Sequence, residues 1–207
     1  GTFTQPQAVF ISTEFLQTLD DRQLISGFAE VIKHGLIQDK SLYETCKSVD
    51  LENISADIIY RSVEIKNSVI TQDPTEKGLR KILNFGHTIG HAIEGYSLFN
   101  DEKPLLHGEA IAIGMICEAW LSNKFTGLTD EALTDITNTF LLKYPKYSYT
   151  QEQYHVFVDL MKNDKKNEDN KIGFALLKDI GNCTYNIYVE EDDIKSALDY
   201  YSKVSQL

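Results

Sequence analysis

The sequence predicts a mainly α-helical domain with one small β-hairpin near the C-terminus. Apolar residues recur at helical spacing through most of the 207 residues, whereas apolar and polar residues alternate only over 171–177 and 183–189. The apolar fraction of 42% is enough for one core in a chain of this length and marginal for two. We therefore expect residues 1–207 to form a single helical domain.

Capping residues and helix breakers divide the chain into successive predicted helices. A first helix is expected from Asp20-Asp21 to about Gly35, and Ser41 with Glu44 has the capping-box spacing for a second. A helix over 54–71 should stop at Asp73-Pro74, and a helix over 78–94 is interrupted at Gly86 and Gly90. Further helices are predicted over 107–121 and 128–142, after a cap at Thr150 and Gln153, and from about residue 192. The 107–121 helix is almost wholly apolar and should be buried on all sides.

Composition excludes several classes of partner. A formal net charge of −11 with no basic run longer than Lys165-Lys166 argues against nucleic-acid binding. No stretch of apolar residues is long enough to span a membrane, and the N-terminus has no signal-peptide pattern. Three widely separated cysteines are typical of free thiols in a reducing cytoplasm. Because the first residue is Gly1 and the first methionine is Met115, we expect the sequence to be a piece of a longer protein.

A lysine lies among the apolar positions of the predicted 54–71 helix. The residues Ile59, Val63, Lys66 and Ile70 follow the spacing i, i+4, i+7 and i+11. Such a lysine commonly packs its stem and extends its ammonium to water. It can also direct a cation into a pocket, and the spacing alone leaves both alternatives open.

The predicted 78–94 helix carries an unusual polar stripe. Its members, at the same spacing, are Arg80, Asn84, His87 and His91, with Glu94 one step beyond. A solvated face would carry lysine and glutamate rather than these residues. The two interrupting glycines cost about 1 kcal/mol each in a helix interior, so we expect a neighbouring helix or a ligand to approach closely there.

Histidines and a carboxylate make a metal site the favoured interpretation. His87 and His91 are four residues apart, although the segment lacks the glutamate of the HExxH motif. His107 begins an apolar helix, whose N-terminus should keep the imidazole neutral and available as a ligand. Glu30 and Lys33, one turn apart in an apolar segment, form either a surface ion pair or a buried carboxylate that needs a cation. An open site of two histidines and one glutamate is a known catalytic zinc arrangement; His34 and His155 are interpreted as structural or exposed.

Three segments together resemble the 3-dehydroquinate synthase family. They are residues 27–35, 83–94 and 106–115, and the opening residues 1–7 and the run Asp164-Lys165-Lys166-Asn167 match further parts of the family pattern. The combination is far more specific than any single motif and extends over essentially the whole chain.

The resemblance implies a set of roles for named residues. Glu30, His87 and His107 would bind the catalytic divalent metal, zinc or cobalt. The residues expected to line the substrate pocket are Lys33, Lys66, Glu76, Arg80, Asn84 and His91, with Lys33, Lys66 and His91 as catalytic groups. One of Lys165 and Lys166 would contact the substrate phosphate. The family converts 3-deoxy-D-arabino-heptulosonate 7-phosphate, a small anionic sugar phosphate, to 3-dehydroquinate and phosphate in the shikimate pathway, with NAD reduced and then reoxidised.

The chain departs from the family in lacking a dinucleotide-binding fingerprint. No Gly-x-Gly occurs among its twelve glycines. We therefore expect an isolated C-terminal domain that is inactive alone, with NAD bound mainly by a missing N-terminal domain and a homodimer in the full-length enzyme. The alternatives are another sugar-phosphate cyclase, a metal-dependent polyol dehydrogenase, which the Lys66 and Arg80 cations disfavour, and a non-catalytic helical interaction module.

Overall fold

Among the residues that the structure describes, helices predominate and one hairpin accompanies them, as the sequence predicts. The computed structural model describes residues 7–50, 54–164 and 172–206. Within these ranges the helices are α1 (Asp21–Gln38), α2 (Lys40–Ser48), α3 (Ala56–Gln72), α4 (His87–Asn100), α5 (His107–Thr126), α6 (Asp130–Lys143), α7 (Tyr154–Asp164) and α8 (Glu191–Val204), and the strands are β1 (Ile172–Asp179) and β2 (Asn182–Val189). No helix in these ranges has both the length and the apolar character needed to cross a bilayer.

Helix α5 is the centre of the hydrophobic core. It packs against α1, α4, α6, α8 and β1, and its side chains from Gly108 to Ala119 are all buried. Burying each large aliphatic side chain there contributes about 1.5–3 kcal/mol relative to leaving it in water. The prediction of a helix buried on all sides is confirmed, although the helix continues to Thr126 and ends at Gly127, whose φ of 84° is left-handed.

The hairpin closes one side of the core. Its antiparallel register places Ile172 opposite Val189 and Leu177 opposite Cys183, and β1 buries the more continuous apolar face. The turn residue Gly181 donates its N–H to the carbonyl of Leu36 at 2.8 Å. The hairpin therefore anchors the C-terminal end of α1, the helix that carries Glu30.

Two predicted helix boundaries were wrong, one because helix packing continues past it and one because a different residue supplies the cap. Helix α1 continues past Gly35, which is a packing point: a Cβ there would lie 2.6 Å from the backbone nitrogen of Tyr43 in α2. Helix α2 is capped by Asp39 rather than by Ser41, since the Asp39 side chain accepts from the N–H of Leu42. The Thr150–Gln153 capping box is confirmed, as is the end of α3 before Asp73.

The continuous polar stripe predicted over 78–94 is wrong, although the predicted interruption at Gly86 is confirmed. Residues Leu79–Asn84 form a 3₁₀ turn, and α4 begins only at His87. The break lies at Gly86, which adopts a left-handed φ of 80° where an L side chain would be strained. A Cβ at Gly86 would also meet the Met115 side chain at 2.3 Å. Arg80 and Asn84 therefore do not share a helix face with His87 and His91.

Candidate metal centre and anion-binding loop

Three helices bring four candidate ligands together. Glu30 projects from α1, His87 and His91 from the first two turns of α4, and His107 is the first residue of α5. The ligand nitrogens of the three histidines all lie within 4.8 Å of one another. Oε1 of Glu30 lies 3.2 Å from Nε2 of His87 and 3.6 Å from Nε2 of His107. The predicted convergence of Glu30, His87 and His107 is thus present, and His91 adjoins it.

The two oxygens of Glu30 have different surroundings. Oε2 accepts from the Lys33 ammonium at 2.7 Å, whereas Oε1 is buried with no hydrogen-bond partner among the described residues. Burial raises the pKa of Glu30, but the imidazoles of His107 and His87 and the Lys33 charge outweigh it and hold that pKa far below its ordinary value. The carboxylate is therefore charged, and Oε1 lies between the two imidazole Nε2 atoms, where all three atoms could bind one cation.

Lys33 is a buried cation and not a surface partner. Only 2% of the residue is exposed, and burial lowers the pKa of its ammonium against the opposing effect of Glu30. The Lys33–Glu30 pair is therefore more than an exposed i, i+3 ion pair, because it fixes which oxygen of Glu30 faces the histidines.

The ring nitrogens of His87 and His107 that face away from Glu30, the Nδ1 atoms, each contact an oxygen atom. Nδ1 of His87 lies 3.1 Å from the carbonyl of Phe85, and Nδ1 of His107 lies 3.1 Å from Oε2 of Glu94. An oxygen acceptor at Nδ1 places the proton there and leaves Nε2 as the metal-binding atom. Metal-ligating histidines almost always donate their other ring N–H to a carboxylate, a backbone carbonyl or water in this way.

In the absence of a metal, the nearby carboxylates act on His107 in the direction opposite to that expected from the helix N-terminus. The Glu30 and Glu94 carboxylates together raise the pKa of His107 above its ordinary value. The ring is about half-exposed at the start of α5, where water weakens the helix-dipole effect and two nearby anions dominate.

The donor set fits zinc or cobalt. Imidazole nitrogens with one carboxylate oxygen are borderline donors that suit Zn²⁺ and Co²⁺, whereas Mg²⁺ and Ca²⁺ prefer oxygen alone. The unpartnered Oε1 of Glu30 supports this fit, because a buried carboxylate oxygen needs a cation or a donor.

A second polar cluster precedes α4 in the chain. Asn84 donates to Oε1 of Glu76 at 2.7 Å, and Nε of Arg80 lies 3.9 Å from Oε2 of the same glutamate. Asp73 organises the loop by accepting the backbone N–H groups of Gly78, Arg80 and Lys77, which lower its pKa. The structure thus brings together Glu76, Arg80 and Asn84, with Glu76 at a left-handed φ of 58°.

The placement of Lys66 within a buried stripe was wrong. The buried face of α3 is formed by Ile58, Ser62 and Val69, one position away from the predicted stripe, and Lys66 is exposed. Its charge nevertheless lies close enough to Lys33 to contribute to the lowered pKa of that residue. Lys66 is therefore a solvent-facing cation on the helix beside the Glu30–Lys33 pair.

The remaining predicted residues lie beside the centre or outside the described ranges. A cleft of about 370 Å³ adjoins His91 and is lined also by Thr88, Ala92, Leu160, Met161 and Asn163. Lys165 and Lys166 lie outside the described residues, two and three positions after Asn163. His34 is buried with Nδ1 2.7 Å from Oγ of Ser62, and His155 is exposed, as expected for both.

Sequence reasoning missed the roles of two glutamates. Glu94 was recognised only as the next polar residue after His91, and Glu118 was not singled out. The available signal for Glu118 was a carboxylate in a helix that is otherwise apolar, because a buried charge must have partners. The structure supplies them: its oxygens accept the backbone N–H groups of Gly86 and Ile89.

Comparisons with known proteins give the same assignment as the motifs. The family model described as 3-dehydroquinate synthase C-terminal matches residues 27–167. The 3-dehydroquinate synthase of Parabacteroides distasonis is 40% identical over 97% of this chain and 58% of its own length, and that of Campylobacter concisus is 38% identical over 96% and 57%. The chain thus spans little more than half the length of these curated relatives.

Solved structures share the fold. A 2-deoxy-scyllo-inosose synthase, crystallised with carbaglucose-6-phosphate, NAD⁺ and Co²⁺, aligns with a TM-score of 0.71 and 25% identity over 91% of this chain and 54% of that one. A 2-epi-5-epi-valiolone synthase from Streptomyces hygroscopicus aligns with a TM-score of 0.68 and 24% identity over 92% and 54%. The fold is therefore one that this chain shares with sugar-phosphate cyclase synthases. Within that class, the chain belongs to the 3-dehydroquinate synthase family.

Proposed function

We propose that this chain is the metal- and substrate-binding part of a 3-dehydroquinate synthase, a lyase that forms 3-dehydroquinate and phosphate from 3-deoxy-D-arabino-heptulosonate 7-phosphate. The observation that carries the proposal is the Glu30 carboxylate, which has one oxygen on Lys33 and the other between the Nε2 atoms of His87 and His107, at 3.2 and 3.6 Å. Family membership supplies the reaction, and the site supplies donors that suit it.

The proposed ligands are Glu30, His87 and His107. A bound divalent metal would supply Lewis-acid chemistry toward the hydroxyl and carbonyl oxygens of the substrate. Lys33 keeps Glu30 oriented, and the acceptors on Nδ1 of His87 and His107 keep both Nε2 atoms directed at the same point. His91, whose ring centroid is 5.1 Å from that of His87, is proposed to hold or move a proton beside the metal.

The anionic substrate requires local positive charge in a chain with a net charge of −11. We propose that Lys66 and Arg80 offset the substrate's carboxylate and phosphate, with Asn84 and Glu76 orienting the Arg80 loop. One of Lys165 and Lys166 is proposed to contact the phosphate. NAD, which would accept and return the hydride, is proposed to bind mainly to parts of the protein outside this sequence.

Metal binding by variants tests the site directly. We expect zinc to copurify with the chain at one equivalent and to be lost from Glu30→Gln, His87→Ala and His107→Ala. The matched control is His91→Ala, which we expect to retain zinc within a few-fold of the parent affinity. Chelator competition monitors the affinity. Loss of zinc from His91→Ala with retention in His107→Ala would show that the two histidines have exchanged roles.

Another sugar-phosphate cyclase activity is the second candidate. The shared fold and 25% identity with a 2-deoxy-scyllo-inosose synthase favour it, whereas the 40% identical relative favours 3-dehydroquinate synthase. Phosphate release by the full-length protein separates the two, using the heptulosonate phosphate in one assay and glucose 6-phosphate in the other. Release only from the second substrate would overturn the proposed reaction.

We further propose a cytoplasmic location and a homodimeric full-length protein. All three cysteines are unpaired, and two of them are buried, as expected where thiols stay reduced. Fractionation of cells and sedimentation of the full-length protein test these two proposals.

A further inference from the structure

Helix α4 begins without a capping side chain of its own. Its N-cap is Gly86, which has no side chain to accept the first N–H groups. A capping serine or aspartate cannot replace it, because the left-handed φ is strained for other residues and a Cβ would meet Met115 at 2.3 Å. The backbone donors of this turn must therefore be satisfied from elsewhere in the fold.

A carboxylate from the neighbouring helix satisfies them. Oε2 of Glu118, on α5, accepts the N–H of Gly86 at 2.7 Å, and Oε1 accepts the N–H of Ile89 at 3.1 Å. Glu118 is 0% exposed. Its negative charge lies at a helix N-terminus, where backbone donors and the helix dipole favour an anion.

This contact encloses a proposed metal ligand. His87 lies between the two residues whose N–H groups Glu118 accepts, and Nδ1 of His87 meets the carbonyl of Phe85, the residue before Gly86. The held backbone carries both His87 and the Phe85 carbonyl that its Nδ1 contacts, and together they direct Nε2 to within 3.2 Å of Oε1 of Glu30. Glu118 touches neither the substrate nor the proposed metal.

We propose that Glu118 is a positioning residue: it directs the proposed ligand atom of His87, Nε2, toward Glu30 before any metal binds. The proposal rests on the proposed metal site. Outer-shell partners of metal ligands typically change metal affinity by about 10- to 100-fold when they are removed. Here the partner acts on the backbone that carries the ligand, so the same direction of effect is expected.

The principal test uses Glu118→Gln with Ser122→Ala as the matched control. Glutamine keeps one carbonyl oxygen for one N–H but presents an amide donor to the other. Ser122 is also buried on α5, where its hydroxyl accepts from the N–H of Leu177 and donates to the backbone carbonyl of Glu118. Its loss therefore perturbs the same turn of α5 while leaving the Glu118 carboxylate and its bonds to α4 in place. The probes are Zn²⁺ with a competing chelator and Co²⁺ with its visible absorption, which reports ligand geometry.

We expect Glu118→Gln to weaken Zn²⁺ binding by about 10-fold or more and to change the Co²⁺ spectrum. Ser122→Ala should keep both properties even where its melting temperature falls. Parent-like zinc affinity and spectrum in Glu118→Gln, or an equal loss in Ser122→Ala, would overturn the proposal. If the parent chain itself binds neither metal, the proposed metal site is wrong.

Amide hydrogen exchange tests the same proposal on the unmodified chain, so it does not depend on a variant that folds. If Glu118 presets the turn, the amide hydrogens of Gly86 and Ile89 exchange as slowly in the metal-free chain as those in the centre of α5. Zinc should add little further protection. Fast exchange that becomes slow only after zinc addition would mean that the metal organises this turn, and Glu118 would not be its positioning residue.

Discussion

The imidazoles of His87 and His107 are oriented by two chemically different partners. The partner of His87 is the backbone carbonyl of Phe85, whereas that of His107 is the Glu94 side chain. A side-chain substitution can remove the Glu94 carboxylate, but it cannot remove the backbone carbonyl of Phe85. His107 is also the more exposed ring of the pair, at 43% against 13% for the side chains, so fewer packing contacts restrict its rotation. Its orientation should therefore depend strongly on Glu94.

We predict that Glu94→Ala weakens zinc binding by about 10-fold, because His107 loses the acceptor that fixes its tautomer and ring direction. Glu94→Gln, which keeps an oxygen acceptor without its charge, should weaken binding less. Chelator competition near neutral pH measures both variants. Equal affinity in the parent and in Glu94→Ala would mean that packing alone orients His107.

At the scale of secondary-structure elements, glycines determine how closely α4 and α5 approach. A Cβ on Gly114 would lie 2.0 Å from the carbonyl oxygen of Gly86 and 2.7 Å from the nitrogen of Gly90. Both atoms belong to the backbone and cannot move away as a side chain could. The sequence predicted a close approach at Gly86 and Gly90, and Gly114 is the residue on α5 that meets them.

We predict that Gly114→Ala destabilises the chain by several kcal/mol, since about 1–3 kcal/mol is usual for one overpacked methyl with mobile neighbours. The matched control is Gly95→Ala on α4, where a Cβ would meet nothing within 4 Å. That change should stabilise the helix by up to about 1 kcal/mol. Urea unfolding of both variants measures the difference, and similar free energies of unfolding would contradict the prediction.

Asp39 joins three helices at the end of α1. It caps α2 through the N–H of Leu42, and its other oxygen accepts from Arg61 of α3 at 2.7 Å. Burial raises the pKa of Asp39, but the Arg61 guanidinium and the Leu42 N–H outweigh it and leave the pKa below its ordinary value. A lowered folded-state pKa means that this stabilisation is present above the unfolded pKa and is lost as pH falls through the folded one.

We predict that Asp39→Asn keeps the cap and costs no more than about 1 kcal/mol near neutral pH, because the lost ion pair is partly exposed. Asp39→Ala should cost about 1 kcal/mol more through loss of the cap. In acid, below about pH 4, the parent should lose stability faster than Asp39→Asn, which has no carboxylate to protonate. Urea unfolding across this range measures it, and parallel pH profiles would contradict the assignment.

Sequence patterns located the helices and strands better than they identified which face of each helix is buried. Helical spacing and alternation located α5 and the hairpin, because one is apolar on every side and the other alternates. The same spacing misplaced Lys66 by one position, and it extended one polar stripe across Gly86, where the left-handed backbone breaks the helix. Glu30, His87 and His107 were found from residue type and family resemblance. Glu94 and Glu118 act through contacts that spacing within one helix cannot encode.

At the scale of the whole molecule, charge is distributed unevenly. The chain carries 31 acidic and 20 basic side chains, yet Lys33, Lys66 and Arg80 occur on the elements around the proposed metal ligands. Lys33 is paired with Glu30, whereas Lys66 is exposed. Arg80 donates to the carbonyl of Pro74 at 3.0 Å and lies 3.9 Å from Glu76. Of these three cations, Lys66 and Arg80 are the ones not held by a close carboxylate partner.

The last prediction concerns what the 207-residue chain can do alone. Its proposed reaction begins by removing a hydride, which no amino-acid side chain can accept, so a nicotinamide is required. Binding a dinucleotide commonly uses a glycine-rich strand-to-helix turn, and the sequence contains no Gly-x-Gly. The core around α5, in contrast, is well buried and should keep the chain folded with its zinc site intact.

We therefore expect the chain to bind zinc but to show no heat of NAD binding in calorimetric titration and no phosphate release from the heptulosonate phosphate. The full-length protein, assayed in parallel, should show both, which separates a missing part from a wrong reaction. Micromolar NAD binding or turnover above background by the 207-residue chain would mean that these helices hold more of the active site than the zinc ligands and the substrate cations. In that case the nicotinamide must dock beside Glu30 and His91 without a glycine-rich turn.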